Sequence, residues 1–268
     1  ISIHQDGRTL YPGSGFPDEF GGPNALGTTI NVPLPPETSD EGFLYVLEEL
    51  ILPIIEEFKP DLVINSAGQD NHYTDPITNM RFSAQGYARL NERLNPDIAV
   101  LEGGYSIEGA LPYVNVGIIL AMAGLDYSHV REPDYNSESL RQSGEISQYI
   151  RETSKDILDL WKKRHSFKAE IVKGAKYARR KRNIYYDTDG IREQQEETVR
   201  ICDDCGGFIA IDSMASTGKR VYAVIIPSSS CDLCRLEGEK HFRSIDKVKL
   251  GARYLVYQDR DRDVYVVK

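Results

Sequence analysis

The sequence predicts an α/β fold built on a parallel sheet flanked by helices, followed by a small β module that carries the cysteines. Three observations predict it. Two short apolar runs, Leu62-Val63-Ile64-Asn65 and Ile98-Ala99-Val100-Leu101, each lead to glycine and then to one reactive side chain: Asp70 in Ser66-Ala67-Gly68-Gln69-Asp70, and Tyr105 in Leu101-Glu102-Gly103-Gly104-Tyr105. Between them Ser83 to Leu94 has helical spacing, so the three segments form a βαβ unit whose strands run parallel and end side by side. All four cysteines fall between positions 202 and 234, as two C-x2-C pairs among strand-like stretches.

The elements follow in order. Ile1-Ser2-Ile3-His4 alternates like a strand already under way, which points to a domain whose earlier part is missing. Residues 5–40 are rich in Gly and Pro and read as a long loop interrupted by the strand-like Thr29-Ile30-Asn31-Val32; loops of that length are usually functional. From Asp40 to Phe58 apolar residues recur at helical spacing, with Ser39 or Asp40 as N-cap and Pro53 kinking or dividing the helix. Val114 to Leu125 predicts a buried helix that closes the α/β domain. Residues 126–150 are polar and irregular, and Ile146 to Trp161 has the spacing of an amphipathic helix. Arg179-Arg180-Lys181-Arg182 reads as a solvated helix face or linker, given the acidic tract Glu193 to Glu197 nearby. Arg220 to Ile226 is strand-like, and Ala252 to Tyr257 with Val264 to Val267 reads as a β-hairpin. The expected domains are 1–125 (α/β), 126–195 (helical connector) and 196–268 (β module).

With 268 residues, 40% of them apolar, the chain can bury at least one core, and two domains are expected. A net charge of −9 argues against general nucleic-acid binding, because phosphate neutralisation needs a basic surface. No run of eighteen apolar residues and no basic-then-apolar leader is visible, so neither a membrane span nor a secretory signal is expected. The clustered cysteines do not resemble a disulfide framework, and a reducing, cytoplasmic setting fits best. Nothing in the sequence fixes the oligomeric state.

Ligands of open α/β sheets bind outside the carboxyl ends of the strands, so Asp70 and Tyr105 should face one crevice, as metal ligand and hydrogen-bond donor. Each has a plainer reading, a helix-capping aspartate and a buried core tyrosine. His72 is expected on the rim of the loop after Asp70, and His4 in the core or behind a ligand. Glu102 is expected to make a structural hydrogen bond at the strand end.

Five segments add to this: Ser2-Ile3-His4-Gln5, Tyr11-Pro12-Gly13-Ser14-Gly15, Ile30-Asn31-Val32-Pro33-Leu34, Ser66 to Asp70 with Asp75-Pro76, and Leu101 to Tyr105. In this order and spacing they resemble the zinc-dependent histone deacetylase and acetylpolyamine amidohydrolase superfamily. The resemblance implies the C-terminal part of an arginase-deacetylase type α/β fold that removes acetyl groups from acetyl-lysine or other acetylated amines. By it, Asp70 is a ligand of the catalytic zinc, and Tyr105 donates to the scissile carbonyl. Gly103 and Gly104 line the pocket beside it, and Tyr11 lines the acyl-lysine tunnel. Ser2, by its hydroxyl, and Ile3, by its carbonyl, help hold a structural monovalent cation such as K+. The family also needs an Asp-x-His pair of ligands and a His-His pair ahead of the Ser-Ile-His segment. None of His4, His72, His129, His165 and His241 fits those motifs. The chain is therefore expected to need a missing N-terminal segment of the same domain as its partner and to be inactive alone. The alternative is a non-catalytic binding module that keeps the deacetylase scaffold.

The pairs Cys202-Asp203-Asp204-Cys205 and Cys231-Asp232-Leu233-Cys234 suit a tetrahedral zinc site made of four cysteines. Four thiolates leave no open position, so this zinc would be structural, in a zinc-ribbon-like module; a redox dithiol is the alternative.

Overall fold

The computed structural model describes residues 1–167, 174–186 and 189–268. They fall into two compact units, Ile1–Glu19 with Ile30–Lys162, and Phe20–Thr29 with Lys163–Lys268.

In the first unit β1 (Ser2–Gln5) pairs in parallel with β2 (Asn31–Leu34), and β3 (Ile64–Ala67) with β4 (Ile98–Leu101) in the register Ile64↔Ile98 to Ala67↔Leu101. The connection from β3 to β4 contains α3 (Ala84–Leu94), which makes the βαβ unit that the apolar runs predict. Ser83 caps α3 by accepting a hydrogen bond from Gly86 N at 3.0 Å. Its own hydroxyl and amide donate to Asp40 at 2.6 and 2.8 Å. Asp40 therefore ties the start of α1 (Asp40–Val46) to the start of α3 instead of capping its own helix. Ser39 occupies the N-cap position of α1 without a side-chain cap; its hydroxyl donates to Gln142 Oε1 at 3.2 Å.

The expected break at Pro53 takes a particular form. A π-helical turn, Leu47–Ile51, joins α1 to α2 (Leu52–Phe58), with helical backbone at both junctions. A proline ring removes one amide donor and crowds the carbonyl one turn earlier, and the widened turn absorbs both without ending the rod. Phe43 of α1 stacks on Phe82 with ring centroids 4.2 Å apart. Val32, Leu34, Leu50, Val114 and Ile118 complete the core around them. α4 (Leu111–Met122) is buried on one side only, because Val116, Ile119 and Met122 are exposed. α5 (Gly144–Lys162) buries Ile150, Ile157 and Trp161 at amphipathic spacing. It belongs to the first unit, so the region expected to be a helical connector divides near residue 163.

The second unit corrects the rest of that expectation. From Tyr177 the chain is strand: β5 (Tyr177–Tyr186), β6 (Ile191–Arg200), β7 (Ile209–Ala215), β8 (Arg220–Ile226), β9 (Tyr254–Asp259) and β10 (Val264–Val267). Residues 168–173 of the expected connector lie outside the described residues. The basic run Arg179–Arg182 sits on β5 against the acidic run on β6, in the register Arg180↔Glu197 and Lys181↔Glu196. Arg180 Nε lies 2.5 Å from Glu197 and Arg182 Nη1 3.5 Å. Two strands whose charges neutralise each other across a ladder look, one at a time, like a solvated linker.

The strand order is β10-β9-β8-β7-β6-β5, antiparallel throughout except for β8 and β9. A parallel pair needs a crossover, and α6 (Asp232–Ser244) with the short α7 (Lys247–Leu250) supplies it. Phe208, Val224, Ile226, Phe242, Leu255 and Tyr257 form the core. The expected hairpin and the strand over Arg220–Ile226 are present. The whole is a six-stranded mixed sheet with a crossover helix, larger than the zinc ribbon expected from cysteine spacing.

Candidate functional site

Two loops leave the carboxyl ends of β3 and β4 and are bound to each other by backbone. Gln69 N donates to Gly103 O at 2.5 Å, and Tyr105 N donates to Asp75 Oδ2 at 2.7 Å. Thr78 Oγ1 donates to Asp70 O at 2.5 Å, and Tyr87 OH to Gly68 O at 2.9 Å, so the Asp70 loop is fixed from below as well. The result brings Asp70 and Tyr105 to one place. A Cβ built on Gly103 would stand 3.5 Å from both Asp70 Oδ2 and Tyr105 OH, so the carboxylate and the phenol face the same space across a residue that leaves it open. Gly104 has φ +156° and a Cβ there would lie 2.8 Å from Gln69 Cβ, so its backbone packs directly on the neighbouring loop.

Burial, and then the nearby Asp75 carboxylate, pushes the pKa of Asp70 above the ordinary carboxylate range. A cation held against it would restore the charged form, which is the electrostatic condition of a metal ligand. Tyr105 is exposed, not a core tyrosine. Tyr11 is exposed too, and among the described residues no hydrogen bond or ring contact links it to Asp70 or Tyr105. Glu102 is exposed and makes no side-chain hydrogen bond among the described residues, against expectation.

Asp70, Ser2 and Ile3 line one apolar groove of about 560 Å³, whose walls include Phe43, Leu47 and Ile64. It lies between β1 and β3, each of which has one strand partner among the described residues. Ser2 Oγ lies 2.9 Å from His4 Nδ1, and His4 Nε2 lies 3.0 Å from Gly15 O, which makes His4 a brace for this wall.

His72 is fully buried rather than on a rim. Its Nε2 is 2.6 Å from Glu132 Oε1, and its Nδ1 2.9 Å from Thr74 Oγ1, which in turn meets Ser106 Oγ at 2.7 Å. This chain braces the two site loops from behind. Burial opposes the charge on Glu132, but hydrogen bonds from His72 and from Ala84 N outweigh it and hold its pKa low. That contribution to stability is complete above the pKa of an unfolded glutamate and is lost as pH falls through the lower folded value. Glu132→Ala leaves His72 Nε2 and Ala84 N unpartnered, and urea unfolding should register a loss of about 3 kcal/mol. A change within experimental error would deny the network that role. Asp75, Thr74, Ser106 and Glu132 are absent from the sequence-level site; nothing in the spacing of an Asp-Pro pair reveals that it anchors the amide of Tyr105.

In the second unit the four cysteine sulfurs all lie within 4.8 Å of one another. Cys202 and Cys205 follow β6, Cys231 is the N-cap residue of α6, and Cys234 lies fully buried in its first turn. Tetrahedral zinc-thiolate bonds of about 2.3 Å require sulfur separations of roughly 3.8 Å, a small contraction of this cluster. The Cys231 thiol is lowered to about 7, first by the backbone N–H of Cys234 and then by Cys205, whereas burial raises Cys205 and Cys234.

Residues 1–115 match the family profile described as the histone deacetylase domain. A probable deacetylase of Archaeoglobus fulgidus is 52% identical over 143 residues, which covers 50% of this chain and 39% of that protein. Histone deacetylase 14, chloroplastic, of Arabidopsis thaliana is 39% identical over 117 residues, covering 40% and 27%. The acetoin utilization protein AcuC of Bacillus subtilis is 34% identical over 144 residues, covering 50% and 37%. Among solved structures the HDA15 HD domain is similar with a TM-score of 0.51 at 25% identity, over 65% of this chain and 47% of that one. The chain spans less than half the length of these curated relatives. No helix among the described residues is long and apolar enough to cross a membrane.

Proposed function

We propose that this chain, whose residues 1–115 match the histone deacetylase domain profile, is part of a zinc-dependent amidohydrolase acting on acetyl-lysine or another acetylated amine. The observation that carries the reading is the Asp70 carboxylate and the Tyr105 phenol facing each other across Gly103. Zinc at Asp70 would supply a Lewis acid for the amide carbonyl and a bound water with a pKa near about 7. Tyr105 donates its O–H where negative charge develops on the carbonyl oxygen, and Gly103 and Gly104 leave room for the acyl group to approach the backbone. Tyr11 serves the wall of the substrate tunnel, and Ser2 and Ile3 help hold a potassium ion. In the second unit, the four cysteines would hold a structural zinc.

One carboxylate cannot retain a catalytic zinc, so the remaining ligands and the general base come from polypeptide outside these 268 residues. The groove between β1 and β3 supports this reading: among the described residues each of these strands has one strand partner, and a further parallel strand set in the groove would run beside Asp70. The test is deacetylation of an acetyl-lysine peptide and of an acetylpolyamine by the full-length protein. Turnover should vanish with a chelator and return with zinc, and Asp70→Ala should lose about one zinc per chain together with all turnover. A full-length protein that binds acetylated ligand but never hydrolyses it would instead be the scaffold-keeping binding module.

A further inference from the structure

Resting on the reading of the four cysteines as a structural zinc centre, we propose that this centre is a metal-dependent clasp for the segment Phe20–Thr29, with Asn24 as its catch. That segment is drawn from the middle of the long N-terminal loop, yet it forms one compact unit with the cysteine-bearing sheet. It is closed on itself by Gly27 N donating to Phe20 O at 2.9 Å and Ala25 N donating to Gly22 O at 2.9 Å, which presents Asn24 at its tip. Asn24 uses both ends of its amide on the cysteine knuckle: Nδ2 donates to Arg200 O at 2.9 Å, and Oδ1 accepts from Cys202 N at 3.2 Å. Gly207, at φ +67°, lets this contact form, because a Cβ there would collide with Arg200 O and stand 3.1 Å from Asn24 Nδ2.

The two bonds differ in what holds their far ends. Arg200 is fixed by the fold, with its amide donating to Phe208 O at 2.8 Å and its guanidinium to Glu237 at 2.8 Å. Cys202 lies beyond the end of β6: Ile201 before it donates its amide to Lys176 O at 3.0 Å, whereas no backbone–backbone hydrogen bond among the described residues holds residues 202–206, so a metal on the sulfurs would be what fixes this stretch. With a metal on all four sulfurs the Cys202 amide stays aimed at Asn24. Without it, Asn24 keeps one anchored partner of two, and the segment opens. Residues beside a metal centre that orient its ligands act in this way on the ligand side; here the same contact acts on the loop.

The experiment is hydrogen exchange read by mass on peptides covering residues 20–29. It compares the reduced 268-residue chain loaded with zinc, the same chain after chelator treatment, and Asn24→Ala loaded with zinc. The loaded chain should hold zinc on the four cysteines and protect these amides, and both other samples should exchange them roughly tenfold faster, as loss of one or two hydrogen bonds implies. Chelation could also loosen the sheet, which peptides from β7 and β9 would report; Asn24→Ala keeps the metal and decides the matter in that case. Zinc held by cysteine with unchanged exchange at 20–29 in Asn24→Ala overturns the clasp and leaves the zinc centre standing. No zinc held by the reduced cysteines overturns the zinc centre and the clasp with it.

Discussion

Tyr105→Phe in the full-length protein should lower kcat of the proposed deacetylation by roughly 10²–10³, the usual cost of removing one donor to a developing oxyanion. KM and zinc content should change little. The ring remains, so the wall of the pocket keeps its shape, and only an O–H that matters more in the transition state than in the ground state is gone. That split between kcat and KM separates a catalytic phenol from a merely structural one, whose loss would raise KM or loosen the loop. Asp75→Asn provides the comparison. It removes the charge behind the 2.7 Å hydrogen bond that holds Tyr105 N, leaves the phenol in place, and should cost less than Tyr105→Phe. Unaltered turnover in Tyr105→Phe would remove the residue from the chemistry.

The βαβ unit was legible because a short apolar run lies on or just ahead of each strand and glycine follows it; β4 coincides with its run, whereas β3 begins two residues into its own, at Ile64. Asp70 and Tyr105 were legible for the same reason, since strand ends in a parallel sheet converge. What sequence could not provide is the second layer. Glu132 reaches His72 from sixty residues away, and Asp75 reaches Tyr105 from thirty, and neither contact has a periodicity. The second unit shows a different limit. Charge on β5 and β6 hides strands that become apparent only when the two are set side by side. The C-x2-C spacing correctly gathered four sulfurs, yet it says nothing of the crossover helix that carries two of them. A polar loop such as Phe20–Thr29 gives no signal that it belongs with residues more than a hundred positions later.

With the four cysteines holding zinc as proposed, Cys234→Ser should abolish zinc binding by the second unit and lower its unfolding midpoint by more than about 15 °C. Cys234 is fully buried in the first turn of α6, and the helix holds the sulfur in the cluster. Unlike a bare zinc finger, this sheet has its own core of Phe208, Val224, Ile226 and Phe242, so metal loss should weaken it without abolishing structure. Zinc at about a thousand times its Kd adds roughly 4 kcal/mol to a folded state that alone binds it. A unit near one hundred residues moves about 4–8 °C per kcal/mol. The pH dependence has a definite sign. Zinc requires thiolates, so protons compete with it: affinity should fall as pH drops, already above neutrality because burial raises the Cys205 and Cys234 thiols, and more steeply once the lowered Cys231 thiol is protonated too. Unfolding followed by circular dichroism at pH 8 and pH 6, with and without chelator, reads both effects. The chelator should matter greatly at pH 8 and less at pH 6, and Cys234→Ser should be indifferent to it at either. A wild-type melting curve that ignores chelator at pH 8 would mean that the four sulfurs are close for packing alone.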